Sequence, residues 1–307
     1  MSRKSAKPGA KSARKSHLYE MFVAAFLLAV IAIFYLNPTP LQSLRLIVFD
    51  FYQRLAPAPQ PADPPVRIVA IDERSVETQG QWPWPRTIMA DLTEALGEAG
   101  ARAIVFDVMF SEPDRTSPEQ MLNWLPEERA AAIRGNVADW PTHDGAFAQA
   151  IERYPVVLAA TLDGEARDDG FPIKAGVGFA GDDPIAFLAP YRGYSDNLPA
   201  LNEAAQGLGA VNWVPDHDQI VRRIPLFFRH NQSVVPSLAL EALRVAEGES
   251  TYLIRSSNAH GAAALGQSAG VNQVRLGERV IPTDARGGVW IRFRPVDENA
   301  YLSASDV

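Results

Sequence analysis

The sequence predicts an α/β protein: a mostly parallel sheet flanked by helices, with an antiparallel addition, preceded by one transmembrane helix. Three observations predict it. VRIVAID at 66–72 and ARAIVFDVMF at 101–110 are apolar, β-branched runs separated by one amphipathic stretch, the strand–helix–strand order of a parallel pair. GLGAVNWV at 207–214 and QIVRRIPLFFRH at 219–230 flank the turn residues PDHD, which suits two antiparallel strands. MFVAAFLLAVIAIFYL at 21–36 carries no charge, and as a helix it is close to a bilayer's thickness.

Taken in order, the chain opens on a basic tail. Arg3, Lys4, Lys7, Lys11, Arg14 and Lys15 give residues 1–17 six positive charges and no acid. Leu18, Tyr19 and Glu20 extend the apolar run into an expected anchor of residues 18–36, with Tyr19 and Tyr35 at the two interfaces. Positive flanks stay in the cytoplasm, so residues 37–307 are expected on the extracytoplasmic side of the membrane. A cleaved signal peptide is the rival reading, but NPTP follows the run instead of a small-x-small cleavage site. A buried core helix would show a polar face, and this run shows none.

Of 29 basic residues, 23 lie beyond the tail against 36 acids, a net of −13. Such a body excludes nucleic acid as the expected partner, because phosphate binding needs basic patches. There is no cysteine, which removes disulfides, thiolate metal sites and a cysteine nucleophile.

Residues 37–65 read as a juxtamembrane helix and a linker. Leu41, Leu44, Ile47, Val48, Phe51 and Leu55 recur at helical spacing, and the Pro-rich stretch 57–65 is stiff and extended. The body, 66–307, begins with the VRIVAID strand and the loop GQWPWPR. A helix follows from residue 86, with Ile88, Leu92, Ala95, Leu96 and Ala99 as its stripe and Gly100 as its stop. The strand at 101–110 is then expected beside the first, parallel to it. PEERAAAIR suits a short helix, Thr142 caps another, and PVVLAAT at 155–161 is a third parallel strand. Residues 163–205 are loop-rich. PSLALEALRVAEG is a helix stopped by Gly248, and short strands are expected near 271–276 and 288–294.

Ligands of open α/β sheets bind at the carboxyl ends of the strands, and Asp72, Asp107 and the GQWPWPR loop fall there. Asp72, Asp107, Asp114 and Asp144 are read first as residues that hold loops and cap helices. The alternative is a divalent cation, calcium or magnesium, with Asp72 and Asp107 as the metal candidates. Arg222 and Arg223 are neighbours in a strand, so one points inward to an acid while the other points out; the functional alternative is an anion clamp. Trp82 and Trp84 either roof the core or line a pocket or subunit contact, with Arg86 beside them. GVGFAG at 176–181 matches a dinucleotide fingerprint in letters only, because no helix follows it. His17, His143, His217, His230 and His260 show no metal-ligand spacing, and no nucleophile elbow or P-loop is present.

VAID at 69–72, GQWPWPR at 80–86, FDVMFSEPD at 106–114, Asp144 of DGAFAQAI, DQIVRRIPL at 218–226 and PSLALEA at 236–242 occur in this order. Together they resemble CHASE2, the type-two CHASE family of extracytoplasmic sensory domains of bacterial transmembrane receptors, from about residue 41 onward. The resemblance implies an N-terminal anchor, a signal-input role and a cytoplasmic output domain. The family's usual output is a class III adenylate or guanylate cyclase, or else a histidine, Ser/Thr kinase or diguanylate cyclase. The leading reading is a sensor and not an enzyme, which takes a small-molecule or ionic signal and associates as a homodimer. YLSASDV at 301–307 resembles a segment after which the family's domain continues, so the body is expected to be C-terminally incomplete, with a sheet edge left open. A ligand-free dimerising module and an extracytoplasmic enzyme using the acids are the two other readings.

Overall fold

The computed structural model describes residues 10–36, 38–137, 140–167, 169–259 and 269–307, with side chains from residue 19 onward except those of 34 and 35. The chain divides into two units, residues 1–59 with 292–295, and residues 60–291 with 296–307.

In the first unit, helix α1 spans Ala10–Leu36. Alanine, leucine and other good helix formers fill it, and proline and glycine are absent beyond residue 10. Every side chain from Tyr19 to Ile33 is exposed. Among the described residues no helix is long and apolar enough to cross a membrane. The expected anchor, 18–36, includes the side chains of 18, 34 and 35, which lie outside the described ones; so do the basic tail's charges, and His17 and His260. Helix α2, Thr39–Leu55, starts behind Pro38 with Pro40 in its first turn, where a missing amide hydrogen costs nothing. The Ala58 amide then donates to the Phe293 carbonyl at 3.0 Å.

In the second unit, β1 is Ile68–Ala70 and is followed by α3, Glu73–Gln79, and α4, Arg86–Glu98. Strand β2, Ile104–Phe106, leads through a long loop to α5, Pro118–Leu122, α6, Glu127–Val137, and α7, His143–Arg153. Strand β3, Val156–Asp163, pairs in parallel with β2. Then come β4, Gly176–Ala180, β5, Pro190–Tyr191, β6, Gly193–Ser195, α8, Pro199–Ala204, and β7, Gly207–Ala210. Strand β7 runs parallel to β3 on its other side, while β6 crosses the end of β3 antiparallel.

Strands β3 and β7 are apolar on both faces because both faces are covered. Leu158, Ala160, Leu208 and Ala210 join Phe106, Phe147, Ile151 and Leu201 in one core. On the opposite face, Gly207 and Gly209 leave room for α9, Leu238–Glu247: a Cβ on Gly209 would sit 2.4 Å from the Leu238 Cα.

A second core lies beyond a hairpin of β9, Phe227–His230, and β10, Ser233–Pro236. Period-2 alternation makes this hairpin a shared wall. Phe228 and Val235 face the first core, and Phe227 and Val234 face the second. The second core is closed by β11, Thr251–Ser256, β12, Val271–Leu276, and β13, Arg279–Pro282, with β4 parallel to β11 at the edge. Strand β8, Arg223–Pro225, pairs with β14, Gly288–Trp290, and β15 is Tyr301–Ser303.

Three expectations are corrected. First, β1 pairs in parallel with β15 and not with β2; the Ser303 hydroxyl, donating to Asp72 just past the end of β1, ties the C-terminal segment to that strand. Second, 207–214 and 219–230 form no antiparallel pair. The two-residue turn is at Asn231 and Gln232, with Asn231 at φ 51, the left-handed region that asparagine tolerates and such turns require. Third, the pairing is not mostly parallel: among the described residues five of the ten ladders are parallel and five antiparallel.

Candidate functional site

Two helix starts and one loop bring Arg86, Asp114 and Asp144 together. Helix α4 begins at Arg86 behind Pro85. Helix α7 begins after Thr142, whose hydroxyl accepts the Gly145 amide hydrogen at 3.0 Å. Between them runs the loop that leaves the carboxyl end of β2. Phe110 pins that loop: its ring stacks edge-on with Phe106 and Phe147 at 5.6 and 5.1 Å, and its amide donates to Asn197 at 2.8 Å.

Asp114 is the hub and is 5% exposed. Its Oδ2 accepts the Arg86 amide at 2.7 Å and lies 3.0 Å from His143 Nδ1; its Oδ1 accepts the Thr116 amide and hydroxyl at 2.8 and 2.7 Å. Burial pushes its pKa up, but the hydrogen bonds from Arg86, Thr116 and His143 outweigh burial and hold the carboxyl below its ordinary range. Asp144 Oδ2 accepts the Asp114 amide at 3.0 Å. Its pKa goes the other way, because burial wins there and the charges of Asp114 and Glu119 add to it. The Arg86 guanidinium sits 4.5 Å over the Phe110 ring, and burial lowers its pKa.

The pairing is incomplete. Arg86 Nε and Asp144 Oδ1 are 3.5 Å apart, and both are buried with no hydrogen bond. An ion pair at that separation without alignment recovers less of its desolvation cost than a hydrogen-bonded one. The cluster is therefore closed at Asp114 and leaves one buried donor and one buried acceptor unmatched.

The other expected residues lie elsewhere. Asp72 caps α3: its Oδ1 accepts the Ser75 amide, the Ser75 hydroxyl and the Ser303 hydroxyl at 2.8, 2.7 and 2.8 Å. These bonds, Ser75's first, hold its pKa down. Asp107 is exposed. Among the described residues no group of three or more histidine, aspartate or glutamate side chains is placed to hold a metal ion. Trp84 is buried, donates Nε1–H to the Gly80 carbonyl at 2.8 Å, and meets Trp82 edge-on at 5.8 Å; both pack on the first core.

Arg222 is 2% exposed and grips Asp218 with two bonds at 2.9 and 2.8 Å, with Asp216 at 3.4 Å. Arg223 is half-exposed, bonds Asp216 and Asp284, and lies 4.9 Å over Trp290. The inward and outward arginines thus meet three acids of the chain itself.

Sequence reasoning passed over His143 and Thr116, which complete the cluster, and Asp284. It also missed a buried network in which Arg244 bonds both oxygens of Glu241 at 3.0 and 2.6 Å while Tyr252 donates to Glu241. Burial first, and then the Glu241 charge, raises the Tyr252 pKa. The only sequence signal was the Glu–x–x–Arg spacing on one helix.

The chain matches the model of the CHASE2 domain over residues 25–307. No curated protein matches it, and no solved structure does. The chain belongs to the CHASE2 family, whose members are extracytoplasmic sensory domains.

Proposed function

We propose that this CHASE2 chain is the membrane-anchored input module of a receptor. Helix α1 crosses the inner membrane with the basic tail on the cytoplasmic side, and the body perceives a small-molecule or ionic signal outside. An output domain, a cyclase or kinase, answers on the other side. The carrying observation is the family match, which begins at residue 25, inside the apolar run, and continues through the body. The exposure of α1's apolar side chains on all sides supports the anchor, since a helix apolar all round needs an apolar surrounding. No residue of the body is assigned a catalytic role.

The signal acts at the Arg86–Asp114–Asp144 cluster in this reading. That locus lies at a strand's carboxyl end between two helix starts, and the unaligned Arg86 Nε and Asp144 Oδ1 are what a ligand would satisfy. A ligand that prefers one arrangement of the loop shifts its population. The test is thermal unfolding of the full chain in nanodiscs, with EDTA and then with calcium, magnesium, inorganic phosphate and a panel of free amino acids. One of these raises Tm, and the rise is lost in Arg86→Gln. A flat response across the panel contradicts a signal site there and leaves dimerisation as the module's role.

A further inference from the structure

Helix α2 has two unlike faces. Leu46 is buried, and Leu41, Gln42, Ser43, Phe49, Asp50 and Gln53 are half-buried. The other side is apolar and bare: Leu44, Ile47, Val48, Phe51, Tyr52 and Leu55 are 44–64% exposed. Six large apolar side chains in one stripe of a 17-residue helix are an unpartnered face, of the kind that marks an interaction surface.

The spacing says what fits there. Leu41, Leu44, Val48, Phe51 and Leu55 follow the alternating three–four steps of a heptad seam, positions a and d. Ile47 and Tyr52 flank the seam at the g and e positions that meet across a parallel pair. The two exposed cations, Arg45 and Arg54, fall at e and g as well, but their cross-pair neighbours are Pro40 and Pro59, so no like charges meet. Asp50, the one acid of α2, is off the seam. Two copies would bury on the order of 1,000 Å², the scale at which an interface becomes specific.

We infer that α2 is the dimer seam, packing in parallel against α2 of a second copy of this chain. The parallel sense rests on the receptor reading, because two copies anchored through α1 enter the membrane in the same direction.

The chain has no native cysteine, so introduced ones report alone. Single cysteines are placed at each position from 41 to 55 of the full chain in membrane vesicles and oxidised. Disulfide-linked dimer is expected to peak at Leu44, Val48, Phe51 and Leu55 and to fall several-fold at Ser43, Asp50 and Gln53. Val48→Asp should remove the dimer from the Leu44→Cys background while the chain stays in the membrane. Absence of dimer at all positions overturns the seam: protection from aqueous maleimide would then give the face to lipid, and full labelling would leave it bare. Even cross-linking without periodicity overturns it too. Retention in carbonate-washed vesicles is scored separately, so a chain washed off refutes the receptor reading while the cross-link pattern still judges the seam.

Discussion

Asp114 carries more of the fold than its place in a loop suggests. Its two oxygens tie together the start of α4, the start of α7 and the turn at Thr116. Asp114→Asn halves its acceptor capacity while leaving Arg86 buried, so it should lower stability by roughly 2–4 kcal/mol at neutral pH in chemical unfolding. The pH dependence has a fixed sign. Because the folded-state pKa lies below the ordinary 3.8, the stabilisation is whole above that value and is lost as pH falls through the folded one. The variant should lack this acid-side loss. Asp218, held down to about 2 chiefly by its hydrogen bond to Arg222, should titrate near that value by carboxyl NMR; a midpoint at 3.8 would contradict the ion pair. Asp114, Asp144, Arg222 and Arg223 were visible as charges worth placing, because acids in an apolar frame and paired arginines are unusual. Their partners were not. His143 meets Asp114 and Asp284 meets Arg223 across 29 and 61 residues, and no local spacing encodes such a contact.

Elements differ in how plainly they show themselves. Helices α4, α7 and α9 were legible because a 3.6-residue stripe and a stop or cap coincide. Thr142 caps α7, and Gly248 ends α9 at φ 71. Thr142→Ala should cost about 1 kcal/mol. The short strands were harder to read. Strands of three to five residues carry too little alternation to show a partner, so β4, β13 and β15 went unseen and β7 was given the wrong neighbour. What positions β7 is the glycine pattern. Gly209→Ala drives a Cβ into the α9 backbone, and it should lower Tm by several degrees or prevent folding, where an ordinary overpacking change costs about 1–3 kcal/mol. A Tm equal to wild type would show that α9 can move away.

At the scale of the molecule, one hairpin separates two cores, and the first and last strands of the body lie side by side. β1 and β15 are joined further by Ser303 on Asp72 and by Asp306 on Arg74 at 2.7 Å. The α/β class and the sensory family were readable from ordered motifs spread over the chain. The division into two cores was not, because it rests on which side of β9 and β10 faces which neighbour. The central claim is that α1 anchors the body outside the cell's inner membrane. Single cysteines answer it directly in this cysteine-free chain: one at Ser2, one at the exposed Glu298, each probed with a membrane-impermeant maleimide on intact spheroplasts and again after lysis. The account predicts labelling of Glu298→Cys on intact cells and of Ser2→Cys only after lysis; the reverse pattern, or a body labelled only after lysis, contradicts it.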